Sequence, residues 1–311
     1  MIVSYLVSKL ALSDSKDFIS KNFLKLLIIN IILRIFPYII LLIGSWFLYL
    51  SVLPSSNLDI ILAFMNPSEF VSKILWLTFF LLIMLIIFQF TINYIYEKSI
   101  VYFIARKEND KYRTFLKWAI LDTSIIKSIK SFIGYILINI FYAIVIFGTI
   151  YVITMIFQLL LLLTGLLLPI VTVIVLILLI ISISLLLIFI QFLASYTSKS
   201  YFFARVSNPS NWSSLKMAFS SISGKVIKRI LKLVLYALIT TIIIIITLLA
   251  ILFAIGFVGL NLNLIIILFV IIFIYLLTEW IAYNVISDLY ILNIIKTNSQ
   301  SEMGQNAEQS K

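Results

Sequence analysis

The sequence contains neither cysteine nor histidine. Their absence excludes disulfides, thiol nucleophiles, thiolate and imidazole metal sites, and the Ser-His-Asp and Cys-His catalytic triads. It also removes the side chain that most often transfers protons near neutral pH. Any enzyme chemistry would depend on carboxylates, lysine, tyrosine or hydroxyl groups. We therefore expect a protein that is not an enzyme and that holds no cofactor and no metal.

Charged residues are also scarce, since they make up 11% of the 311 residues, whereas 63% are hydrophobic. Soluble domains are nearer to half apolar and about one-quarter charged. A soluble fold of this size could not bury so much apolar surface, so a bilayer must cover the remainder. The composition predicts an integral membrane protein.

The apolar residues fall into six long segments. A membrane-spanning helix needs about 20 mainly apolar residues. The clearest region is 131–198, which has no charged residue and is long enough for two spans, with a turn near Gly165 and Pro169. We predict a single all-α polytopic domain over 1–296 and a disordered polar tail over 297–311. The six predicted transmembrane helices are 24–53, 74–96, 132–160, 168–195, 233–255 and 264–286.

The start of the first span has two alternatives, because Arg34 and Pro37 interrupt the apolar segment. Either the helix begins near Leu24 and carries Arg34 inside, or the true span begins near Ile35.

The distribution of lysine and arginine predicts the orientation. These residues gather before the first span and in the connections between spans two and three and between spans four and five, while the opposite connections have almost none. Basic connections stay in the cytoplasm, so we expect a cell-membrane protein with both termini cytoplasmic. The basic residues expected at the membrane surface, against anionic headgroups, are Lys117, Lys127, Lys130, Lys216, Lys225, Lys228, Arg229 and Lys232.

An internal repeat relates the two long cytoplasmic connections. Residues 102–106 (YFIAR) match 201–205 (YFFAR), and at the same offset 116–119 (LKWA) match 215–218 (LKMA). Residues 18–25 have the same basic, amphipathic character. The pattern indicates three parallel units, approximately 1–100, 101–200 and 201–296. Each unit is predicted to be an interfacial amphipathic helix followed by a hairpin of two spans.

The amphipathic segments have two interpretations. In the third unit the apolar stripe contains Leu215, Ala218, Phe219, Val226 and Ile230. Such a helix can lie in the interface with its apolar face in lipid and its lysines at the headgroups. The alternative is an acidic partner or nucleic acid. Interfacial anchoring is favoured because aromatic residues are poorly interleaved with the basic ones, so we predict no specific nucleic acid.

Glu279 is the sharpest candidate for function, because an ionisable group inside a membrane helix is costly and marks a functional site by default. Arg34 is its candidate partner, since each lies about 13 Å along its helix from the cytoplasmic side. The alternative is that Arg34 is interfacial and that Glu279 is protonated or reached by water.

Further polar residues lie within the spans. Most would stabilise helix association through interhelical hydrogen bonds. The alternative is a solute pathway near Glu279. The candidates are Gln89, Asn93, Gln191 and Asn284.

The two stretches beginning at Tyr102 and Tyr201, with WAI at 118–120 and MAF at 217–219 leading into hairpins, support a family resemblance. The six-span pattern resembles the membrane domain associated with glycerophosphodiester phosphodiesterases and related six-span proteins. In that family the membrane portion is not the hydrolase, and the hydrolase domain is missing from this chain. The resemblance therefore implies a membrane module and transfers no catalytic residue.

The function that these observations favour is a non-enzymatic scaffold or a subunit of a membrane assembly. Its partners would be the bilayer, other proteins or further copies of the chain. The alternative is a transporter or channel subunit with a polar path near Glu279.

Overall fold

The computed structural model describes residues 2–52, 67–105, 125–164, 169–207, 210–258 and 262–309. Every regular element in these ranges is helical, and six segments are long and apolar enough to cross a membrane. The predicted all-α, six-helix membrane class is confirmed. The helices are α1 Ile2–Ala11, α2 Lys16–Asn30, α3 Phe36–Val52, α4 Pro67–Ala105, α5 Ile125–Thr164, α6 Pro169–Ser207, α7 Asn211–Ser220, α8 Gly224–Val258 and α9 Leu262–Gln309, with a 3₁₀ turn at Ser13–Ser15 and a π-helical turn at Ile31–Ile35.

The long helices exceed the thickness of a bilayer. α4 and α6 have 39 residues each, which corresponds to about 58 Å at 1.5 Å per residue. The hydrocarbon core is about 30 Å thick. Each long helix therefore extends well beyond the hydrocarbon, and the polar residues can gather on one side of it.

The first span begins early and carries Arg34 inside it. α2 continues through the π-helical turn Ile31–Ile35 directly into α3, and the Phe36 N–H bonds to the Ile31 carbonyl across this turn. Pro37 explains the local geometry, because its ring would clash with the carbonyl four residues earlier in a regular helix. The wider π turn relieves that clash without ending the helix.

Buried residues concentrate at one end of the bundle, here called the basal end. An aromatic cluster joins three helices there: the Tyr94, Tyr135 and Phe202 rings lie 5.6–5.8 Å apart between centroids. α6 is central, since it packs against α4, α5, α7, α8 and α9. The basal end comprises residues 2–35, 92–102, 131–142, 190–205, 211–240 and 279–298.

The opposite portions of the same helices, here called the distal half, expose most of their apolar side chains. Their surfaces carry isoleucine, leucine and phenylalanine on several faces, as expected of helices surrounded by lipid. The distal half comprises residues 36–47, 71–90, 144–162, 173–186, 241–253 and 267–277.

The third amphipathic segment differs from its prediction. It is divided into α7 and the start of α8 by the break at 221–223. Leu215, Ala218, Val226 and Ile230 are buried, and Phe219 packs on the same core. The apolar stripe therefore faces other helices, because α7 packs against α5 and α6. The second segment falls on 106–124, outside the described residues, and 18–25 lie within α2, continuous with the first span.

The repeated stretches occupy helix ends. Residues 102–105 form the last turn of α4, and 201–205 lie in the last turns of α6, so both extend a span. Residues 297–309, predicted as part of a disordered tail, continue α9 in the structure. This segment contains Glu, Gln, Ala and Met, which have good helix propensity.

Candidate functional site

Glu279 is fully buried, with 0% of its surface exposed, and its partner is the N-terminal helix. The carboxylate accepts hydrogen bonds from the backbone N–H groups of Val3, at 3.1 Å, and Ser4, at 3.0 Å. The Ser4 hydroxyl donates a third bond of 2.8 Å to Oε2. The first N–H groups of a helix have no partner within it, and the helix dipole favours a negative charge there. Glu279 therefore caps α1 from a position 275 residues away in sequence.

Two tyrosines hold this contact in place. The Tyr236 hydroxyl, from α8, donates to the Ser4 carbonyl at 3.2 Å. Its ring stacks on Tyr283 of α9, with centroids 5.6 Å apart and an interplanar angle of 11°. Tyr283 lies one turn after Glu279, so both residues are on the same face of α9. This face binds the amino-terminal end of α1 through Glu279 and the supporting Tyr236 through Tyr283.

Arg34 does not form the predicted pair with Glu279. Its guanidinium carbon lies over the rings of Tyr96, at 5.4 Å, and Trp280, at 5.9 Å. Among the described residues its Nε has no hydrogen-bond partner. The π turn and the preceding helix direct Arg34 toward α4 and the neighbouring face of α9, whereas α1 occupies the acceptor positions of Glu279.

A second charged group, which we call the basal network, lies between α2, α4, α6 and α9. Lys199, 1% exposed, is its centre. Its ammonium nitrogen lies 3.0 Å from Asp288 Oδ1 and 3.7 Å from Glu97 Oε1, and it donates to the Ser195 hydroxyl. Buried charges persist only when they are paired and hydrogen-bonded, and this lysine meets both requirements.

The basal network continues from Asp288 toward the first span. The Tyr96 hydroxyl donates to Asp288 Oδ2 at 2.8 Å and accepts from the Asn30 side-chain amide at 3.0 Å. Arg34 lies over the Tyr96 ring, at the edge of this network. Lys199 therefore lies between two carboxylates, Glu97 and Asp288, and Tyr96 links Asp288 to the first span.

The remaining candidates for a polar pathway do not converge. Gln89 and Gln191 are exposed and Asn93 is half-buried. The Asn284 amide donates to the Trp280 carbonyl, one turn back in its own helix. Within the described part of the chain, none of these four is recorded as a hydrogen-bond partner of Glu279 or of the basal network.

Most of the predicted membrane-surface lysines are exposed, either at the basal end or in the turn of α5 just before it. This group includes Lys127, Lys130, Lys216, Lys225 and Lys228. Two basic residues instead tie helices together. Lys232 pairs with Asp14 at 3.4 Å, and Arg229 donates to the Thr297 hydroxyl at 2.6 Å. Lys117 lies outside the described residues.

The basal network was missed by reasoning from the sequence alone. Lys199 follows an uncharged run and, by residue count, falls in the basic connection after the fourth predicted span, while Glu97 and Asp288 fall just after the predicted ends of the second and sixth spans. One signal was available in the sequence. Lys199, Glu97 and Asp288 each lie within four residues of a hydroxyl side chain, and each lies in a segment whose apolar pattern continues.

The chemistry that this arrangement supports is charge neutralisation and helix capping. Within the described ranges no three acidic side chains come together as a candidate metal site. Each carboxylate considered above already binds a cation, a hydroxyl or a helix terminus. Glu279, Lys199 and Asp288 therefore join helices.

Comparison with protein-family models, with curated proteins and with solved structures gives no match for this chain.

Proposed function

We propose that this integral membrane protein is a non-enzymatic scaffold or subunit of a membrane assembly, with both termini on the cytoplasmic side. The observation that carries the proposal is that two fully buried charged residues, Glu279 and Lys199, are bound by groups from other helices. Glu279 binds α1, and Lys199 binds Glu97 and Asp288. A residue that must bind and release a solute or proton would need free coordination positions, whereas Glu279 and Lys199 use theirs to join helices.

The exposed distal half supports the same proposal. A scaffold needs apolar surface that lipids or neighbouring proteins can cover, and large side chains such as Trp46, Phe147 and Phe253 are well exposed there. Contiguous apolar surface beyond a few hundred Å² marks membrane or protein contacts. The exposed lysines of the basal end agree with a cytoplasmic orientation.

The rival function, transport through a polar path near Glu279, can be tested by flux. The purified full chain is reconstituted into vesicles that contain a pH-sensitive or ion-sensitive dye, and a gradient is imposed. We expect the native chain, Glu279→Gln and the surface control Asp17→Asn to match protein-free vesicles. Flux through the native chain that disappears in Glu279→Gln and persists in Asp17→Asn would establish transport and refute the scaffold.

Self-association gives a direct test of the assembly role. The chain has no cysteine, so Lys225→Cys, at an exposed basal position, provides one labelling site. Copies labelled with donor and acceptor dyes should show energy transfer in bilayers at low protein density, and unlabelled chain should reduce it. Energy transfer at the level of random encounters would rule out assembly from this chain alone.

A further inference from the structure

A groove of about 400 Å³ lies between α5 and α7. Its walls are apolar, whereas a tryptophan and a lysine from α7 stand beside it. The apolar lining includes Leu137 and Phe141 of α5 with Leu215 and Phe219 of α7, and the two flanking residues are Trp212 and Lys216.

α7 runs alongside α5 in the same direction, so each end of the groove is formed by corresponding ends of the two helices. At the first end, Tyr201 donates to the Asn211 side chain and to the Ser131 carbonyl, next to Gly134. At the second end, the Phe219 ring lies 5.2 Å from that of Phe141. The groove is lined along α5 from Leu137 to Phe141, and its first end lies beside the Tyr201–Asn211 contact.

Two exposed lysines accompany the groove, Lys216 in its wall and Lys130 before its first end. Lys216 is exposed one turn after Trp212, and Trp212 is 77% exposed. Lys130 is also exposed, and it precedes Leu137 by seven residues, which places the two on the same face of α5 about 10 Å apart along the axis. Neither lysine lies within 4 Å of a carboxylate in the described part of the chain.

The second end leads into the distal half. Phe141 is partly exposed, and Ile144, one turn further along α5, is more so. A molecule that occupies the groove would thus meet Lys216 in its wall, with Lys130 before its first end, and the apolar surface of the distal half at its second end. Tryptophan, here Trp212, is typical of the membrane interface.

We propose that this groove binds one anionic phospholipid of the surrounding bilayer. Its headgroup lies between Lys130 and Lys216, and an acyl chain packs against Leu137, Phe141 and Phe219. The two lysines complement the phosphate, and the apolar walls continue in the direction that acyl chains take in the bilayer. The site requires only that the chain be an integral membrane protein, so it stands apart from the scaffold proposal.

The test is native mass spectrometry of the full chain in detergent, titrated with phosphatidylglycerol or with phosphatidylcholine of identical acyl chains. We expect one phosphatidylglycerol to bind more tightly than phosphatidylcholine. The double variant Lys130→Gln/Lys216→Gln should weaken phosphatidylglycerol binding about tenfold or more, since each lysine at a membrane surface contributes to anionic lipid binding. The matched control, Lys16→Gln/Lys25→Gln on α2, removes the same charge elsewhere and should bind as the native chain does.

A second pair of variants tests the apolar walls. Leu137→Trp fills the groove from a partly exposed position, so the core need not repack, and bound lipid should be lost. Ile150→Trp, on the opposite side of α5 and more than three turns further along, should retain it. Equal affinity for both lipids, or equal losses in the α2 control, would overturn the proposal. A dimer that Leu137→Trp disrupts, with lipid binding unchanged, would assign the groove to a second copy and also overturn it.

Discussion

The basal end and the distal half are built from the same helices but are held by different forces. At the basal end, aromatic rings, ion pairs and helix caps bind residues from separate helices, and side chains as large as Tyr96, Tyr201 and Tyr290 are fully buried. In the distal half, apolar side chains on the same helices remain exposed. Lipid tails are as apolar as these side chains, so no hydrophobic force drives them together. Specific packing therefore begins where polar groups are available.

The largest expected effect comes from breaking the basal network at its centre. Lys199→Met leaves Glu97 and Asp288 buried with their shared cation removed, and loss of one partner from a buried pair costs about 3–5 kcal/mol. The exposed Lys228→Met serves as the control and should change the free energy of unfolding by less than about 0.5 kcal/mol. Unfolding in mixed detergent micelles measures both. Equal stability of the two variants would show that the network does not hold the basal end together.

A matched pair of isoleucines on α8 compares the two regions directly. Ile230 is 0% exposed at the basal end, and Ile246 is 59% exposed in the distal half. Ile230→Ala should cost about 2–5 kcal/mol because it leaves a cavity. Ile246→Ala should have little effect in detergent, which replaces the lost contact. Similar losses for both, from the same unfolding measurement, would mean that the distal half is also tightly packed.

Two glycines on α5 provide the next comparison. At Gly134 an added Cβ would collide with the side chains of Tyr201 and Asn211, whereas at Gly148 nothing lies within 4 Å. Gly134→Ala should destabilise by about 1–3 kcal/mol through overpacking. Gly148→Ala should be neutral or stabilising, by up to about 1 kcal/mol, because alanine favours helix. The melting temperature should fall for Gly134→Ala and should stay the same or rise for Gly148→Ala. A higher melting temperature for Gly134→Ala would contradict the close approach of Tyr201 and Asn211 to this glycine.

The smallest expected effect is at the cap of α1. Glu279→Gln keeps a hydrogen-bond acceptor but loses the negative charge at the helix terminus, a change of about 1–2 kcal/mol in a buried site. Asp17→Asn, at an exposed position on α2, should be silent. Hydrogen exchange of the Val3 and Ser4 amides should accelerate in Glu279→Gln alone. Unchanged protection would place the stabilisation of α1 elsewhere.

The six spans could be predicted from the sequence because a bilayer imposes one requirement, about 20 apolar residues, on each of them. The helix ends were less predictable. Lys199 looks like a loop residue when basic side chains are counted, yet α6 continues to Ser207. Pro37 looked like a boundary for the first span, and the π turn before it allows the helix to continue.

The partner of Glu279 could not be predicted for a different reason. α1 has only 10 residues, which is too short to cross a bilayer, so a search for spans does not include it. Its burial depends on Ser4, Val7 and Ser8, which are small enough for close packing against α8 and α9. Position along a helix places Arg34 level with Trp280, the neighbour of Glu279, but it does not give the direction of the Arg34 side chain, which depends on the π turn.

The cap on α1 also has a consequence for the order of folding. Ser4 is synthesised 275 residues before Glu279, so α1 cannot reach its final place until the sixth span has been made and inserted. Contacts of such long sequence separation form late, because the intervening chain must be ordered first. Until then the amino-terminal amides of α1 stay accessible. α1 would dock against Glu279 only when all six spans are in place. The start of the chain would therefore be the last part of the protein to reach its folded position.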